Sequence, residues 1–486
     1  MSETTGTGFS WQKLALPVVM AALAFWLLRD FPAEQRHVGT IFALTVGLWM
    51  SEVMPLGITA LVSSALLILA GGLNEKKVFA AYGDTTIPLF IGSFILAKGM
   101  EVTGLGERFA HLILAQKWAT RSASALLLSV GAIACLLSLF ISNTATTAML
   151  LPIGLSLLAA IGSPDQTRLY AIGLMMMLTW GSSIAVGVPV GTPPNLIGID
   201  MLAKATGERI GFLQWMTFGM PITLAMLVAC WAVLRWRYGR GAPATAPVAP
   251  VSRACLAEMG RMSEGQRNTL LAFVVAIILW MLPDSLLAIM GPENEFAKQF
   301  AARVPASVAA LIGASLLFLL PGRQEDSRMN WRTAASIDWG TILLFAGGIA
   351  LGQAMFESGL AKSLGEMAAE ASGARTVWGI TALVTAAAIM LSELASNTAA
   401  ATTLVPVAIG LAEGAGVSPV APALGVALGA SMGFMLPVST APNAIVYSSG
   451  LVPAREMLKS GILIDIIGFI VVMAGLMLIL PAMGLA

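Results

Sequence analysis

The chain has few charged residues for its length of 486, and this scarcity limits what it can be. Only 11% of its residues are Asp, Glu, Lys or Arg, whereas 57% are hydrophobic, and the mean hydropathy is +0.84. Soluble domains carry about 25% charged residues. The composition therefore predicts a polytopic membrane protein in contact with lipid. The net charge of +1 gives no basic excess, so no nucleic-acid partner is expected.

Side chains that bind transition metals are also scarce. Cys135, Cys230 and Cys255 have no CxxC spacing, and the first two lie in apolar runs that indicate small core residues. The two histidines, His37 and His111, occur in charged stretches that indicate loops. There is no HExxH motif and no sign of paired catalytic carboxylates. These absences argue against an intramembrane enzyme.

Apolar runs of membrane-spanning length dominate the rest of the chain, since a helix needs about 20 residues to cross the hydrocarbon. The first run, Leu14 to Leu28, is followed by Arg29-Asp30-Phe31-Pro32 without a small-residue cleavage site, so it reads as a retained span rather than a signal peptide. Eleven spans are predicted, near residues 13–29, 37–53, 56–73, 86–102, 167–187, 213–236, 268–290, 304–321, 339–356, 420–437 and 459–482.

Two further apolar blocks, 122–161 and 376–413, are each interrupted in the middle by a polar cluster. They could be pairs of ordinary helices joined by a polar turn. A turn exposed to water, however, needs no apolar flanks on both sides. We therefore expect each block to form a re-entrant hairpin that enters and leaves on the same side of the membrane.

Basic residues indicate which loops face the cytoplasm. The stretch from Arg235 to Arg267 is rich in arginine and marks a linker at 237–267, and Arg323, Arg328 and Arg332 fall on the same side two spans later. Counting spans from these loops places the N-terminus in the cytoplasm and the C-terminus outside. The expected location is the inner (plasma) membrane.

The polar clusters inside the two blocks nearly repeat each other. The first block contains Ser142-Asn143-Thr144 and the second contains Ser396-Asn397-Thr398, each followed a few residues later by a proline. A buried polar group without a partner costs roughly several kcal/mol in a membrane interior. A polar cluster that occurs twice in matching places therefore indicates one site built from two halves.

The repetition extends well beyond these clusters. Met100 to Leu105 resembles Met355 to Leu360, and Pro189 to Ile197 resembles Pro437 to Ile445, in the same order and at a nearly constant spacing. The first copy begins outside the membrane and the second begins inside, which predicts an inverted repeat, the plan of many secondary transporters. We divide the chain into an N-terminal segment with the first span (1–36), a first repeat (37–236), the linker (237–267) and a second repeat (268–486).

Prolines interrupt one span in each repeat. Pro189, Pro193 and Pro194 break the first, and Pro437 and Pro442 break the second, because proline lacks an N–H and obstructs a helix. A simple kink is one interpretation. Unwound backbone at membrane depth, however, is tolerated where it lines a cavity, and there it exposes carbonyls to cations and helix N-termini to anions.

The polar groups favour a small hard cation and an anion. Ser138 and Ser142, like Ser392 and Ser396, are four residues apart, and we expect their hydroxyls to stack on one helix face. Hydroxyl, amide and carbonyl oxygens suit sodium better than a divalent ion, which prefers carboxylates. The remaining amide and threonine donors can bind a carboxylate. Glu393 is expected either to hold the tip and tune the cation site or to bond within the hairpin.

The paired Ser-Asn-Thr motifs, the paired Thr-Pro-Pro-Asn and Thr-Ala-Pro-Asn loops, and the element Trp49 to Pro55 resemble the divalent anion/sodium symporter (DASS) family of INDY-type di- and tricarboxylate transporters. The likeness covers essentially the whole chain. It implies an all-α polytopic membrane protein with about eleven transmembrane helices and two re-entrant hairpins. It also implies a homodimer that works by an elevator motion.

The resemblance implies specific site residues. One sodium site would use Ser138, Ser142, Asn143 and the Gly191 backbone, and the other would use Ser392, Ala395, Asn397 and Ser439. The substrate would contact Asn143, Thr144, Thr192, Asn397, Thr398, Thr440, Ala441 and Pro442. Ser439 departs from a smaller residue in the family pattern, and Ala441 stands where the first loop has Pro193.

The function implied is sodium-coupled symport of C4-dicarboxylates such as succinate, malate and fumarate. A sodium-independent dicarboxylate exchanger and a transporter of sulfate or another divalent anion remain alternatives on the same scaffold. A cation/proton antiporter would be expected to carry intramembrane aspartates in the broken helices, and there are none at those tips. A channel is disfavoured because inverted hairpins that meet at one site suit alternating access.

Overall fold

The computed structural model describes residues 11–207, 209–239, 244–322, 329–372 and 375–485. Within these ranges the protein is built from α-helices and short 3₁₀ turns, and no β-strand occurs. An α-helix satisfies its own backbone hydrogen bonds, as a segment surrounded by lipid must. The all-α class expected from the sequence is confirmed.

The first half of the chain forms eleven helices before the linker. They are α1 (Ala15–Leu27), α2 (Ala33–Ser51), α3 (Leu56–Leu69), α4 (Glu75–Ala80), α5 (Thr86–Thr103), α6 (Leu105–Leu114), α7 (Ala123–Ser138), α8 (Asn143–Ile161), α9 (Pro164–Ser183), α10 (Pro193–Thr206) and α11 (Phe212–Tyr238). The linker contains one helix, α12 (Val248–Met259).

The second half contains the remaining helices. They are α13 (Glu264–Met290), α14 (Glu295–Arg303), α15 (Ala306–Leu319), α16 (Trp331–Ala334), α17 (Trp339–Glu357), α18 (Leu360–Ser372), α19 (Val377–Leu394), α20 (Asn397–Gly414), α21 (Val420–Gly429), α22 (Ala441–Ser448) and α23 (Ala454–Ile479). Every predicted span overlaps one of these helices, although the span predicted at 420–437 extends past the end of α21 at Gly429. Arg323 and Arg328, used above to orient the chain, lie outside the described residues.

Seven helices in the described part of the chain are long and apolar enough to cross a membrane, and eight if α14 and α15, which meet at a bend of 57°, are taken as one span. Four shorter helices, α1, α3, α7 and α21, are also apolar. The figure of eleven spans and the re-entrant course of the two hairpins therefore stay predictions.

The order of helices from α5 to α11 recurs from α17 to α23. Gly104 ends α5 with a φ of 66°, and Gly359 follows α17 with a φ of 74°. Both are in the left-handed region, which glycine adopts without the Cβ penalty of other residues. Each glycine turns the chain from a long helix into a short amphipathic one, α6 or α18, so the repeat seen in the sequence has a matching backbone.

The two repeats exchange partners. Helix α3 packs on α17 while α15 packs on α5, and α10 packs on α20 and α21 while α22 packs on α8 and α9. A two-fold relation between the halves produces such an exchange. Neither repeat therefore forms a separate domain in space.

Packing divides the helices into two bodies. We call α1–α5 with α13–α17 the frame, and α7–α11 with α19–α23 the hairpin body, because the helices of each set pack mainly among themselves. The helices α6 and α18 connect the frame to the hairpins in sequence, and α12 of the linker packs on α6. This division matters for the function proposed below.

The cysteine prediction agrees with the structure, and the histidine prediction does not. Cys135 and Cys230 are buried and unpaired. His37 lies within α2 and His111 within α6, so both stretches are helical rather than loops. Burial lowers the pKa of His111, which leaves its imidazole neutral at pH 7.

Candidate functional site

Each Ser-Asn-Thr cluster forms the tip between two consecutive helices that pack against each other. Helix α7 ends at Ser138 and α8 begins at Asn143, while α19 ends at Leu394 and α20 begins at Asn397. The hydroxyl oxygens of Ser142 and Ser396 accept hydrogen bonds from the backbone N–H groups of Ala145 and Ala399, both at 3.2 Å. These serines are N-caps, so one function of the motif is to start the second helix of each pair.

The expected stacking of serines on one helix face is wrong, because the chain turns between them. Ser138 belongs to α7, whereas Ser142 caps α8, and Ser392 and Ser396 are divided in the same way between α19 and α20. Instead, each first serine reaches across its tip. The Ser138 hydroxyl lies 2.7 Å from Asn143 Oδ1, and the Ser392 hydroxyl lies 2.7 Å from Asn397 Oδ1.

The loops that contain the prolines are held by an asparagine. Asn195 Nδ2 donates to the carbonyls of Val186 and Val188, at 3.2 and 2.9 Å. Asn443 Nδ2 donates to the carbonyls of Gly433 and Leu436, at 3.3 and 3.1 Å. Unwound backbone in a buried position must find hydrogen-bond partners. The asparagine of each Pro-Asn segment provides them.

The two loops are also bonded to the opposite repeat. Thr179 donates to Asn443 Oδ1 at 3.0 Å, and the hydroxyls of Thr192 and Ser431 lie 3.1 Å apart. All of these side chains are buried. The two halves therefore form a single polar unit, as the paired motifs predict.

One cavity of about 510 Å³ lies where the tips and loops meet. The cavity is lined by four segments that we call its floor, namely 142–145, 190–194, 394–398 and 438–442. The floor contains no charged residue. Every residue predicted to contact substrate lines the cavity, namely Asn143, Thr144, Thr192, Asn397, Thr398, Thr440, Ala441 and Pro442.

The residues predicted to bind sodium divide into two layers. Six line the cavity, namely Ser142, Asn143, Gly191, Ala395, Asn397 and Ser439. Ser138 and Ser392 are fully buried behind them. Each of these two serines is connected to the cavity lining by its hydrogen bond to the amide oxygen of the asparagine at the same tip.

Four helices begin at the floor. Ser142, Thr192, Ser396 and Thr440 each line the cavity and directly precede α8, α10, α20 and α22, respectively. A helix N-terminus carries unpaired N–H groups and about half a positive charge. The floor can therefore bind an anion without a basic side chain.

The second tip is richer in oxygen than the first. The Ser392 hydroxyl oxygen lies 2.7 Å from Asn397 Oδ1 and also 2.7 Å from the Ala430 carbonyl oxygen, although it has a single hydrogen. At the first tip, the second contact of Ser138, to the Ile141 carbonyl, is 3.5 Å long. Sequence analysis does not select Ala430, because a backbone carbonyl leaves no signal in the sequence.

The charged residues that line the cavity lie outside its floor, and we call the side that they line its mouth. Glu52, Lys98, Glu101 and Asp338 line it, at the ends of α2 and α5 and just before α17. Lys98 forms an ion pair with Glu101 at 2.7 Å. Of the described residues that line the cavity, Lys98 is the one with a basic side chain, and that side chain is already paired with Glu101.

Among the residues that the structure describes, Glu393 has no hydrogen-bond partner within its own hairpin, contrary to one of the two expectations. Its carboxylate accepts hydrogen bonds from the backbone N–H groups of Met435 at 2.9 Å and Leu436 at 3.1 Å. It therefore connects the second tip to the unwound loop before α22. The fold also places Asp465 of α23 beside it, a carboxylate pair that the sequence does not reveal.

The described residues offer no conventional catalytic or metal-binding cluster. No group of three His, Cys, Asp or Glu side chains is found that could hold a metal ion. Gly429 to Gly433 fits the GxSxG pattern of serine hydrolases. Ser431, however, is fully buried and bonded to Thr192.

Comparison with known families decides the identity. The family model described as "Sodium:sulfate symporter transmembrane region" matches residues 9–482. The chain belongs to this family. The resemblance drawn from the paired motifs is thereby confirmed, and the protein is a multi-pass membrane transporter rather than an enzyme.

Curated relatives match along nearly the whole chain. A protein from Staphylococcus saprophyticus named "Sodium-dependent dicarboxylate transporter SdcS" is 30% identical over 482 residues, which cover 96% of this chain and 91% of that protein. A protein of the same name from Staphylococcus aureus (strain bovine RF122) is 30% identical over 477 residues, which cover 95% and 89% of the two chains.

Solved structures of other transporters share the fold at low identity. The Alcanivorax borkumensis YdaH transporter matches with a TM-score of 0.59 and 15% identity, over 93% of this chain and 99% of its own. MtrF from Neisseria gonorrhoeae matches with a TM-score of 0.55 and 12% identity, over 94% and 96%. At such identities the likeness concerns the fold alone.

Proposed function

We propose that this protein is a sodium-coupled symporter of C4-dicarboxylates such as succinate, malate and fumarate. The observation that carries the proposal is the convergence of four helix N-termini on one uncharged cavity floor. These N-termini bind anions through N–H groups and dipoles, while the same tips present oxygens to a hard cation. One compact site therefore has donors for an anion and acceptors for sodium.

The doubled floor favours a substrate with two carboxylates. Each half provides an asparagine and two threonines, Asn143 with Thr144 and Thr192 in one, and Asn397 with Thr398 and Thr440 in the other. A C4-dicarboxylate likewise presents two similar ends, so each half can bind one carboxylate. The names of the Staphylococcus relatives support the same substrate class. Ala441 and Pro442 would pack against the chain between the carboxylates.

Sodium would bind behind the substrate, once in each half. In the first half the ligands would be Ser138, Ser142, Asn143 and the Gly191 backbone. In the second half they would be Ser392, Ala395, Asn397 and Ser439, joined by the carbonyl of Ala430. Each asparagine would share its oxygen with sodium and its N–H₂ with substrate. Bound sodium would thus orient the hydrogen-bond donors for the anion, and this would couple the binding of sodium to the binding of substrate.

The asymmetry of packing supports alternating access. Helix α17 of the frame packs against α20 and α10 of the hairpin body. Among the described residues, the corresponding helix α5 makes no comparable contact with α8 or α22. A structure in which two equivalent repeats make different contacts corresponds to one of the two end states of the transport cycle. We infer that the other state exchanges these contacts as the hairpin body moves along the frame, an elevator motion.

An ion-pair cluster joins the hairpin body to the frame at the end of α5 that lies away from the cavity mouth. Lys204 near the end of α10 lies 2.7 Å from Asp84 of the frame and 2.7 Å from Asp200 of its own helix. Asp84 precedes α5, whereas Lys98 and Glu101 at the other end of α5 line the cavity. The elevator motion would have to break the bond between Lys204 and Asp84, which makes this pair a latch for the present state.

We place the transporter in the inner (plasma) membrane, with the N-terminus in the cytoplasm and the C-terminus outside. The cavity mouth then faces the cytoplasm, because it adjoins the end of α5 that precedes one cytoplasmic loop and the start of α17 that follows another. We expect a homodimer in lipid, formed through the frame so that the hairpin body stays free to move. Cross-linking of the protein in native membranes tests the dimer.

The deciding experiment is uptake of labelled succinate into proteoliposomes, with an inward sodium gradient compared with a matched potassium gradient. Accumulation that requires sodium is expected. Uptake that ignores sodium but depends on internal dicarboxylate would contradict symport and identify an exchanger. Uptake of sulfate in place of succinate would contradict the dicarboxylate assignment. The sodium dependence of that uptake would then be measured separately.

A further inference from the structure

An aspartate lies deep in the hairpin body without a basic partner among the described residues. Asp465 is in the middle of α23, and only 5% of its surface is exposed. Neither of its carboxylate oxygens has a hydrogen-bond partner of good geometry among the described residues. Neither Asp465 nor Glu393 takes part in an ion pair in the described ranges. A buried charge in this condition is costly and needs a neutralising group.

The polar groups nearest Asp465 are the Glu393 carboxylate and the backbone of Phe434. Asp465 lies within hydrogen-bonding reach of the Glu393 carboxylate, which is itself 98% buried and is already bonded to Met435 and Leu436. Gly461, one turn earlier on α23, packs so closely on the unwound loop that a Cβ there would collide with the Phe434 carbonyl oxygen. The same face of α23 therefore brings Asp465 against that loop.

The first repeat has neutral residues in the corresponding places. Leu139 occupies the position of Glu393, and Thr223, four residues after Gly219, occupies that of Asp465. The Thr223 hydroxyl donates to the Ile184 carbonyl at 3.1 Å, so the position is satisfied. Both side chains approach Gly187, the counterpart of Met435, as expected for equivalent places. The acidic pair is thus an addition specific to the second repeat.

We propose that Glu393 and Asp465 form a third cation site, which binds sodium behind the second tip. The inference rests on the proposed sodium symport and adds an ion to it. Carboxylate oxygens are hard ligands, and in the described part of the chain no basic side chain pairs with either of these two groups. Because Glu393 adjoins Ser392, the cation would stabilise the same tip and loop that form the second half of the cavity floor.

The proposal predicts the charge carried in each transport cycle. Three sodium ions with one dicarboxylate dianion move one net positive charge, whereas two sodium ions with the same dianion move none. Sodium-driven succinate uptake by the natural protein should therefore increase with an inside-negative membrane potential. Uptake by Asp465→Asn should be independent of that potential, with one sodium fewer per succinate measured by dual-label flux.

Two variants and a control make the flux test specific. Asp465→Thr restores the residue of the first repeat and should behave like Asp465→Asn, which guards against a folding defect in one of them. Asp284→Asn is the matched control, because Asp284 accepts a backbone hydrogen bond from Leu213 at 2.7 Å in a membrane helix but lies away from the pair. Its sodium count should be unchanged.

Sodium binding without substrate separates this inference from the proposed function. The purified natural protein should show sodium-dependent thermal stabilisation, and the steepness of its sodium dependence should fall by one ion in Asp465→Asn. An unchanged steepness and potential dependence in both Asp465 variants would overturn the third site. Two sodium ions per succinate in the natural protein would also overturn it. No sodium binding at all would refute sodium coupling itself.

Discussion

The two halves of the cavity floor are alike where they face the cavity and different one layer behind it. At both tips a buried serine contacts the asparagine amide oxygen at 2.7 Å, and a second serine caps the following helix. Behind them, the first half has Leu139 and Thr223, and the second has Glu393 and Asp465. The shared layer suits a substrate with two equal ends. The differing layer can treat the coupling ions unequally.

The unwound loops show the same contrast in a milder form. Where the first loop has Gly191, the second has Ser439, whose hydroxyl donates to the Leu436 carbonyl at 2.8 Å and accepts from Asn443 at 3.1 Å. Ser439 therefore forms hydrogen bonds that a glycine cannot form. Sequence symmetry between the repeats does not give the two loops the same hydrogen bonds.

The largest expected effect tests the shared layer. Asn143→Ala and Asn397→Ala should each reduce sodium-driven succinate uptake by about 100-fold or more, because each removes a cation ligand and a substrate donor, at roughly tenfold each or greater. Uptake by proteoliposomes with equal protein content measures the effect. Asn74→Ala, which removes only the cap of α4, is the control. Normal uptake by either tip variant would refute the two-half site.

The next prediction compares the two buried serines. Ser392→Ala should raise the sodium concentration needed for half-maximal uptake by roughly tenfold, and Ser138→Ala by roughly threefold. The reason is that Ser392 contacts both Asn397 and the Ala430 carbonyl, whereas Ser138 has one close contact. Sodium titration of uptake measures both. Equal shifts would show that the second tip gains nothing from its extra oxygen.

A smaller effect is expected at the latch. Lys204→Met removes the charge between Asp84 and Asp200, so the outward state should become more populated. The apparent affinity for external succinate should improve severalfold, as measured by uptake into intact cells. The charge-swapped variant Asp84→Lys with Lys204→Asp should restore the original value. An unchanged affinity in Lys204→Met would contradict the role of this cluster.

The smallest effect is expected at an ion pair within the frame. Lys77 and Glu357 lie 3.0 Å apart, with side chains 65% and 45% exposed. Exposed pairs contribute about 0–1 kcal/mol. Lys77→Met should therefore leave succinate uptake within about twofold of the natural protein. A change as large as that of Lys204→Met would mean that the latch effect is unspecific charge loss.

The amino-acid sequence by itself determined the class and the plan of this protein. Low charge and long apolar runs require helices in a membrane, because lipid leaves backbone groups no other partner. The paired Ser142-Asn143-Thr144 and Ser396-Asn397-Thr398 motifs identified the family and the residues of the cavity floor. Short polar motifs in apolar surroundings are easily recognised in a sequence, since burying polar groups without hydrogen-bond partners is costly.

Only the tertiary structure decided how these residues meet. The chain turns between Ser138 and Ser142, so their predicted stacking fails and a bond to Asn143 replaces it. Glu393 bonds to a loop about forty residues away, and Asp465 joins it from another helix. The Ala430 carbonyl and the latch between Asp84 and Lys204 are equally invisible in the sequence. Such contacts depend on how distant helices pack, which periodicity and local motifs do not encode.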